Sequence, residues 1–402
     1  MRRTPQPETV ARHGRLKGHT FSTVLKFIGA ALVVVLVSGA SVAAITYWRF
    51  TSQIQGNSVV IPGDEDAPVG IGAYEGGFNI LIVGSDTRAG QGGIGGTEED
   101  SEGERNDVNI LLHVSADQTN AVAVSFPRDL VVDIPECQDA NGDIKSVSTE
   151  PINTALYYGG LACAVQTVSD LTGLEIQFAG KMDFVGVVEM AGAIGGVDVC
   201  VTGPMIDAET GLNLPAAGTY TLSGREALDF LRSRTSVGDG SDLTRISSQQ
   251  VYLSALVRQL KSVETLSDPA KLLGLANVAA ARMELSSRLA SVDTMVSIAL
   301  ALKDIPLENV KFVTYPSSTD GTGVYEGKVE PRFDLAEQLF DLIRADQPFN
   351  LAQVGDDRGS TADPKAPAPD PSATPVEPND APVIEGIPGQ TAADYTCSVA
   401  NE

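Results

Sequence analysis

Short apolar runs ending in turn residues alternate along most of the chain with longer segments of helical period. "FNILIVG" (78–84), "VNILLHVS" (108–115) and "AVAVSF" (121–126) stop at Gly, Ser or Pro. Their length and composition predict strands, two of them buried on both faces. "SADQTN" between the second and third suits a hairpin loop. "GGVDVCV" (195–201) predicts a turn into a strand, and "VKFVTYP" (310–316) another strand. Apolar positions three and four apart predict helices at 153–172, 183–193, 223–230, 245–262, 268–283, 290–302 and 334–344. "SGRE" has the form of a capping box, with Ser223 as N-cap and Glu226 at the third helical position. Ser241 or Asp242 can cap the helix that carries Ile246, Leu253, Val257 and Leu260 at helical spacing. Strands mixed with helices predict an α/β or α+β domain built on a layered sheet.

The pattern is different at the N-terminus. "FIGAALVVVLVSGASVAAITYW" (27–48) has no charged residue and is long enough to span a bilayer core of about 30 Å. Arg2, Arg3, Arg12, Arg15, Lys17 and Lys26 precede it, against a single Glu8. That bias predicts a cytoplasmic N-terminus and an external remainder. A cleaved signal peptide is the competing reading, but the run exceeds the usual h-region and no A-x-A-like triplet is evident. The organisation expected is a basic cytoplasmic tail (1–26), a transmembrane helix (27–48), a Gly/Pro/Asp/Ser-rich stalk (49–77) and a globular domain (78–350). A Pro/Ala/Asp-rich linker (351–382) and a short tail with Cys397 (383–402) follow.

Charge narrows the function. A formal net charge of −24 argues against nonspecific nucleic-acid binding. Cys137, Cys163, Cys200 and Cys397 form no C-x-x-C pair, so a zinc site is not expected; an external location permits disulfides. His113 is the one histidine after the apolar run and falls in mid-strand, where it suits a core or surface role better than a catalytic triad. No Walker A pattern occurs, and the Gly-rich run at 90–96 leads into acidic residues.

Arginines and carboxylates remain. If the first three strands form an antiparallel meander, the end of the first, the start of the second and the end of the third share one sheet edge. Asp86, Asp107 and Arg128 would meet there. Two carboxylates with open positions suit Mg²⁺, and an arginine beside them suits a phosphate. In "FLRSRTSVGDGSDLTR", Arg232 and Arg234 share a face if extended, and Arg245 lies in a first helical turn. A diphosphate fits such a set. Each residue also has a bland reading: an aspartate capping its own turn, or arginines paired with surface carboxylates.

The pieces "FNILIVGSD", "RND" (105–107), "VAVSFPRDL", "INTALYYGG", "DFVGVVEMAGAIGGVDV", "LSGREALDFLRSR" and "DLTRISSQQ" stand in this order over about 78–262. Together they resemble the LytR-CpsA-Psr family of membrane-anchored cell-wall ligases, with cysteine positions similar to those of high-GC Gram-positive members. The resemblance implies a three-layer α-β-α domain with a mixed central sheet and an apolar tunnel for a polyprenyl chain. It implies transfer of a glycopolymer from a polyprenyl diphosphate carrier to peptidoglycan through a phosphodiester, with diphosphate cleavage as a side activity and Mg²⁺ or Mn²⁺ as cofactor. By position, Asp86 and Asp107 match the metal carboxylates. Arg105, Arg128, Arg232, Arg234, Arg245 and Gln249 match diphosphate contacts, with Asp86, Asp107, Arg128 and Arg234 as the catalytic set and Asp242 as a positioning candidate. "LLGLANVAAA" (272–281) and "MVSIALAL" (295–302) suit either a tunnel wall or ordinary core.

The expected bridges are Cys137–Cys163 and Cys200–Cys397, the alternative being free buried thiols. Three departures from the family pattern stand out. The Asp86–Asp107 loop is long, Gly-rich and acidic, suiting a lid or an insertion. Pro151 stands where a lysine is frequent, and Ser248 where a second arginine usually follows Arg245. The last two lend weight to an alternative class, a noncatalytic module that holds lipid-linked glycan.

Overall fold

The computed structural model describes residues 20–63, 76–367 and 381–401, except 89–90, 92–93, 95–102, 140, 263–264 and 266–267. Most of the expected cytoplasmic tail, part of the stalk, most of the Asp86–Asp107 loop and part of the linker lie outside these residues. The chain divides into two units, Met1–Phe50 and Thr51–Glu402. Helix α1 (Thr20–Gly56) holds the apolar run, and its Val24–Ser41 stretch is long and apolar enough to cross a membrane.

Twelve strands and seven further helices build the larger unit's framework. In chain order they are β1 (Ser58–Val59), β2 (Phe78–Ser85), β3 (Asn106–Val114), β4 (Ala121–Phe126), α2 (Ala155–Thr172), β5 (Phe178–Met182), α3 (Phe184–Ile194), β6 (Val197–Val201), β7 (Gly218–Leu222), α4 (Gly224–Arg232), α5 (Asp242–Leu260), α6 (Pro269–Arg282), β8 (Met283–Ser286), α7 (Val292–Lys303), β9 (Val310–Thr314), α8 (Phe333–Arg344), β10 (Ser360–Ala362), β11 (Gly389–Thr391) and β12 (Thr396–Ser398). The main sheet has eight strands in the order β1-β8-β5-β2-β3-β4-β9-β11. Strands β2, β3 and β4 form the antiparallel meander expected from sequence, while β5 and β9 run parallel to β2 and β4. The sheet is therefore mixed.

Side chains alternate between its faces. Leu81, Leu111, Val122 and Val124 share a core with Ala164, Val168 of α2 and Leu339, Phe340 of α8. Ile80, Ile110 and Ala123 point the other way, onto Ile298 and Ala301 of α7, with Leu253 and Val257 of α5 against them. Helices on both faces make three layers. A second sheet, β7-β6-β12-β10, belongs to a separate apolar cluster with α3, α4 and α5.

Several expectations change. "SGRE" places Ser223 at the N-cap, but its side chain makes no capping hydrogen bond. The end of the predicted 268–283 helix bends into β8, which pairs with β5. Ser58–Val59, expected in the stalk, joins the main sheet. Residues 383–402, expected as a tail, supply β11 to the main sheet and β12 to the second. Both bridges form as expected, Cys137–Cys163 and Cys200–Cys397. The second joins residues paired directly across β6 and β12. The first lies over Gly159, where a Cβ would stand 2.9 Å from that of Cys137.

Candidate functional site

The functional edge begins with an irregularity. Along β2 and β3, Gly84 pairs with Val108 but Ser85 pairs with Asn106. Asp107 is the extra residue between them. Such a β-bulge kinks its strand and re-aims the extra side chain. Asp107 thereby meets Arg128, which follows Pro127 at the end of β4: Arg128 Nη1 donates to Asp107 Oδ1 at 2.6 Å. Asp86, just past β2, accepts the Arg105 N–H on Oδ1 at 2.7 Å, and its own N–H donates to the Arg105 carbonyl. Burial pushes the Asp86 carboxyl above its ordinary value; the Arg105 hydrogen bond opposes this and the Asp107 charge adds to it.

Asp242, the first residue of α5, binds three arginines together. Its Oδ1 accepts from Arg234 Nη2 at 2.9 Å and pairs with Arg245 Nη2 at 2.5 Å. Its Oδ2 accepts the Arg128 backbone N–H at 3.1 Å. Helix α5 itself is capped by Ser241, whose Oγ accepts from the Thr244 N–H. An acid at a helix start also suits the macrodipole. Arg245 is only 5% exposed and Asp242 9%, so this pair is buried and not the surface ion pair of the bland reading. Burial lowers its pKa, with Asp242 acting against that. The Nε atoms of Arg128, Arg234 and Arg245 are buried and find no hydrogen-bond partner among the described residues.

Arg232 ends α4 and Arg234 stands two residues beyond, so they do not share an extended strand face as the sequence suggested. A helix-to-loop transition brings both to one cavity instead. Arg232 lies 4.3 Å over the Phe184 ring. The Arg234 turn is fixed by Asp207, whose Oδ2 accepts from Ser233 Oγ at 2.7 Å. Gln249 donates to the Leu231 carbonyl at 2.8 Å and so ties α5 to the end of α4.

These groups line a cavity of about 350 Å³ that includes Asp107, Arg128, Arg232, Arg234, Arg245 and Gln249. Its other walls are mainly apolar, with Ile82 and Ile110 from the sheet, Phe184 and Val187 from α3, and Leu231 from α4, while Ser85, Asp183, Glu209 and Thr210 add polar groups. Ile82 is 37% exposed in the middle of a central strand; the cavity stands over it. No described side chain of the runs 272–281 and 295–302 lines this space: Leu275, Ile298 and Ala301 pack into the cores and Leu300 faces outward. Asp86 and Arg105 also stand outside its lining, joined to it through the β2–β3 edge. Arg225 pairs with Asp229 on the surface of α4.

Two departures acquire structural reasons. Ser248 is buried, and its hydroxyl meets that of Ser398 in β12 at 2.8 Å. An arginine there would collide with the C-terminal strand. Pro151 ends a strand paired with Val131 and leads into the turn whose Ile152 N–H donates to the Leu130 carbonyl. His113 is a core histidine, between Asn79 at 2.9 Å and Asp346 at 3.1 Å. Sequence reasoning missed Asp207 and understated Asp242. The one available signal for Asp207 was the turn pattern "DAETG".

A model of the LytR_cpsA_psr family matches residues 46–340. "Cell wall biosynthesis protein LcpA" of Corynebacterium glutamicum is 31% identical over 77% of this chain and 62% of its own. This chain thus spans under two thirds of that relative's length. "Polyisoprenyl-teichoic acid–peptidoglycan teichoic acid transferase TagT" of Bacillus subtilis is 24% identical over 63% of this chain and 75% of its own. A solved LytR-Csp2A-Psr enzyme from Actinomyces oris shares the fold, with TM-score 0.53 and 20% identity over 71% of this chain and 94% of its own.

Proposed function

We propose that this chain, which belongs to the LytR-CpsA-Psr family, is a membrane-anchored phosphotransferase that moves a glycopolymer from a polyprenyl diphosphate carrier to peptidoglycan. The observation that carries this reading is the cavity's division. One side is mainly apolar and suits a prenyl chain; the other holds Arg128, Arg234 and Arg245, whose buried Nε atoms make no hydrogen bond among the described residues. An unmade buried hydrogen bond costs about 1–3 kcal/mol. A diphosphate that drew the guanidinium groups toward it would supply the acceptors. The name of TagT, a teichoic acid transferase acting on peptidoglycan, supports the same class. The basic N-terminus supports an orientation with the helix start in the cytoplasm and the domain outside, where the two disulfides are suited to an oxidising compartment.

In the reaction, an acceptor hydroxyl oxygen bonds to the glycan-side phosphorus and the bond to the bridging oxygen breaks. Polyprenyl phosphate leaves and the hydroxyl proton goes to a base. Arg128, Arg234 and Arg245 offset charge on the transferred and leaving phosphates. Arg232, fixed on Phe184, completes the basic wall, and Asp242 holds the set in place. Asp86 and Asp107 present hard oxygen donors, and Asp86 carries a charge its surroundings disfavour; both fit Mg²⁺ or Mn²⁺. When bound, such an ion supplies Lewis-acid polarisation of a phosphate oxygen.

The test uses the full chain in detergent with Mg²⁺ and a polyprenyl diphosphate glycan, with and without peptidoglycan. Transfer is expected, falling about 10²–10³-fold in Arg234→Ala and in Asp107→Ala, as for loss of a charge-stabilising group. Lipid binding without transfer or diphosphate cleavage would mark a noncatalytic binding module instead.

A further inference from the structure

The arginine cavity opens toward a second site of opposite character. It shares Asp183 with a groove of about 510 Å³ that also includes Thr87, Glu104, Lys181 and Glu284. That groove shares Val59, Glu104, Lys181 and Glu284 with another of about 780 Å³, which runs past Tyr157 and Gln138 to the Cys137–Cys163 bridge. These shared walls set the two grooves side by side, as a channel that begins beside the reaction edge. Its floor is a ladder: Ser85 Oγ donates to Glu104 Oε1 at 2.6 Å, and Lys181 Nζ lies 2.9 Å from both Glu104 and Glu284.

We propose that this channel binds the acceptor, an uncharged amino-sugar glycan strand, separately from the anionic donor. The proposal rests on the transferase reading above. Three observations carry it. First, its cations are already committed. Lys181 is held by two glutamates and Arg282 by Glu189 at 2.7 Å, while Asp183, Glu136 and Asp139 add negative charge. A phosphate-rich polymer is repelled here and drawn to the arginines instead. Second, the remaining groups are carboxylates and amides such as Gln138, Asn141 and Gln166, which pair with sugar hydroxyls and acetamido N–H groups. Third, Tyr157 is 57% exposed, with its ring packed over Gly103 and edge-on to Tyr158 at 5.5 Å. A fixed aromatic plate suits the C–H face of a sugar ring. Lys181, set between the two glutamates, already neutralises the carboxylates that a metal cation would need.

Co-sedimentation of the full chain with peptidoglycan sacculi stripped of secondary polymers tests this, alongside binding of a polyprenyl diphosphate. Tyr157→Ala is expected to weaken sacculus binding roughly three- to tenfold, the loss of one aromatic contact, with Tyr157→Phe near wild type. Arg234→Ala is expected to weaken donor binding and to retain sacculus binding. Raised salt is expected to weaken donor binding far more than sacculus binding. No sedimentation of the wild type, equal affinity of Tyr157→Ala and Tyr157→Phe, or an equal loss in Arg234→Ala overturns the acceptor channel. Failure of donor binding alone overturns the transferase reading, so the two are separable.

Discussion

Removing the Asp242 carboxylate is the sharpest test of how the arginine cluster is held. Arg245 is 5% exposed, and its Nη2 lies 2.5 Å from Asp242 Oδ1. An arginine cannot escape burial by losing its proton. Breaking a buried pair by deleting one partner costs about 3–5 kcal/mol, because the other charge stays buried. Arg234 adds less, since its side chain is 29% exposed. Loss of an acid at the first turn of α5 adds about 0.3–1 kcal/mol. At ~2.1 cal/mol/K per residue, the total lowers the midpoint of a unit this size by roughly 4–8 °C. Asp242→Asn keeps the shape and removes the charge, so it isolates the electrostatic part. Differential scanning fluorimetry with and without inorganic pyrophosphate supplies the readout. Asp242→Asn should melt below wild type, and pyrophosphate should raise its midpoint by more than it raises the wild type's, because the anion replaces the missing charge. A midpoint within 1 °C of wild type by the ~3–5 kcal/mol argument, or a smaller pyrophosphate increment, would refute the reasoning.

Two further outcomes follow from single residues. Asp86 has a raised folded-state pKa, from burial first and the Asp107 charge as well; between the ordinary carboxylate pKa and that raised value, stability falls as pH rises, because the folded state holds the proton longer. In EDTA at neutral pH, Asp86→Asn should therefore melt above wild type, an advantage that Mg²⁺ should erase as it stabilises the wild type alone; a variant less stable than wild type in EDTA would contradict this. Ser248→Arg should not restore a missing phosphate contact but displace β12, costing about 1–3 kcal/mol by overpacking; urea denaturation showing unchanged stability together with tighter donor binding would overturn it.

Particular residues show how much of this was legible. The meander β2–β3–β4 could be read because its strands are long and one connection is a short hairpin loop; its topology then brought Asp107 to Arg128. The bulge could not be read, since one extra residue leaves the apolar run intact. The helices were found to within three residues at each end, but β5, β7, β8, β10, β11 and β12 were not. Strands of three to five residues carry too little period to stand out, and β12 lies beyond a Pro-rich stretch. Cys397 was the only sign that the C-terminus folds back. Ser248 looked like a defect because its partner, Ser398, is far along the chain.

The acidic chain's arginines pose one remaining electrostatic question: whether a substrate anion must evict the carboxylate that orders them. The hydrogen bonds answer it. Asp242 engages Arg234 and Arg245 through Nη2, and engages Arg128 through its backbone rather than its guanidinium. Arg128 Nη1 is turned to Asp107. None of the three Nε donors makes a hydrogen bond among the described residues, although Arg128 Nε lies 3.7 Å from Asp129 Oδ2. The carboxylate thus fixes the cluster's positions while using only part of its donor capacity. A diphosphate can be added to such an arrangement instead of exchanged into it, and little reorganisation is then needed at the moment charge develops.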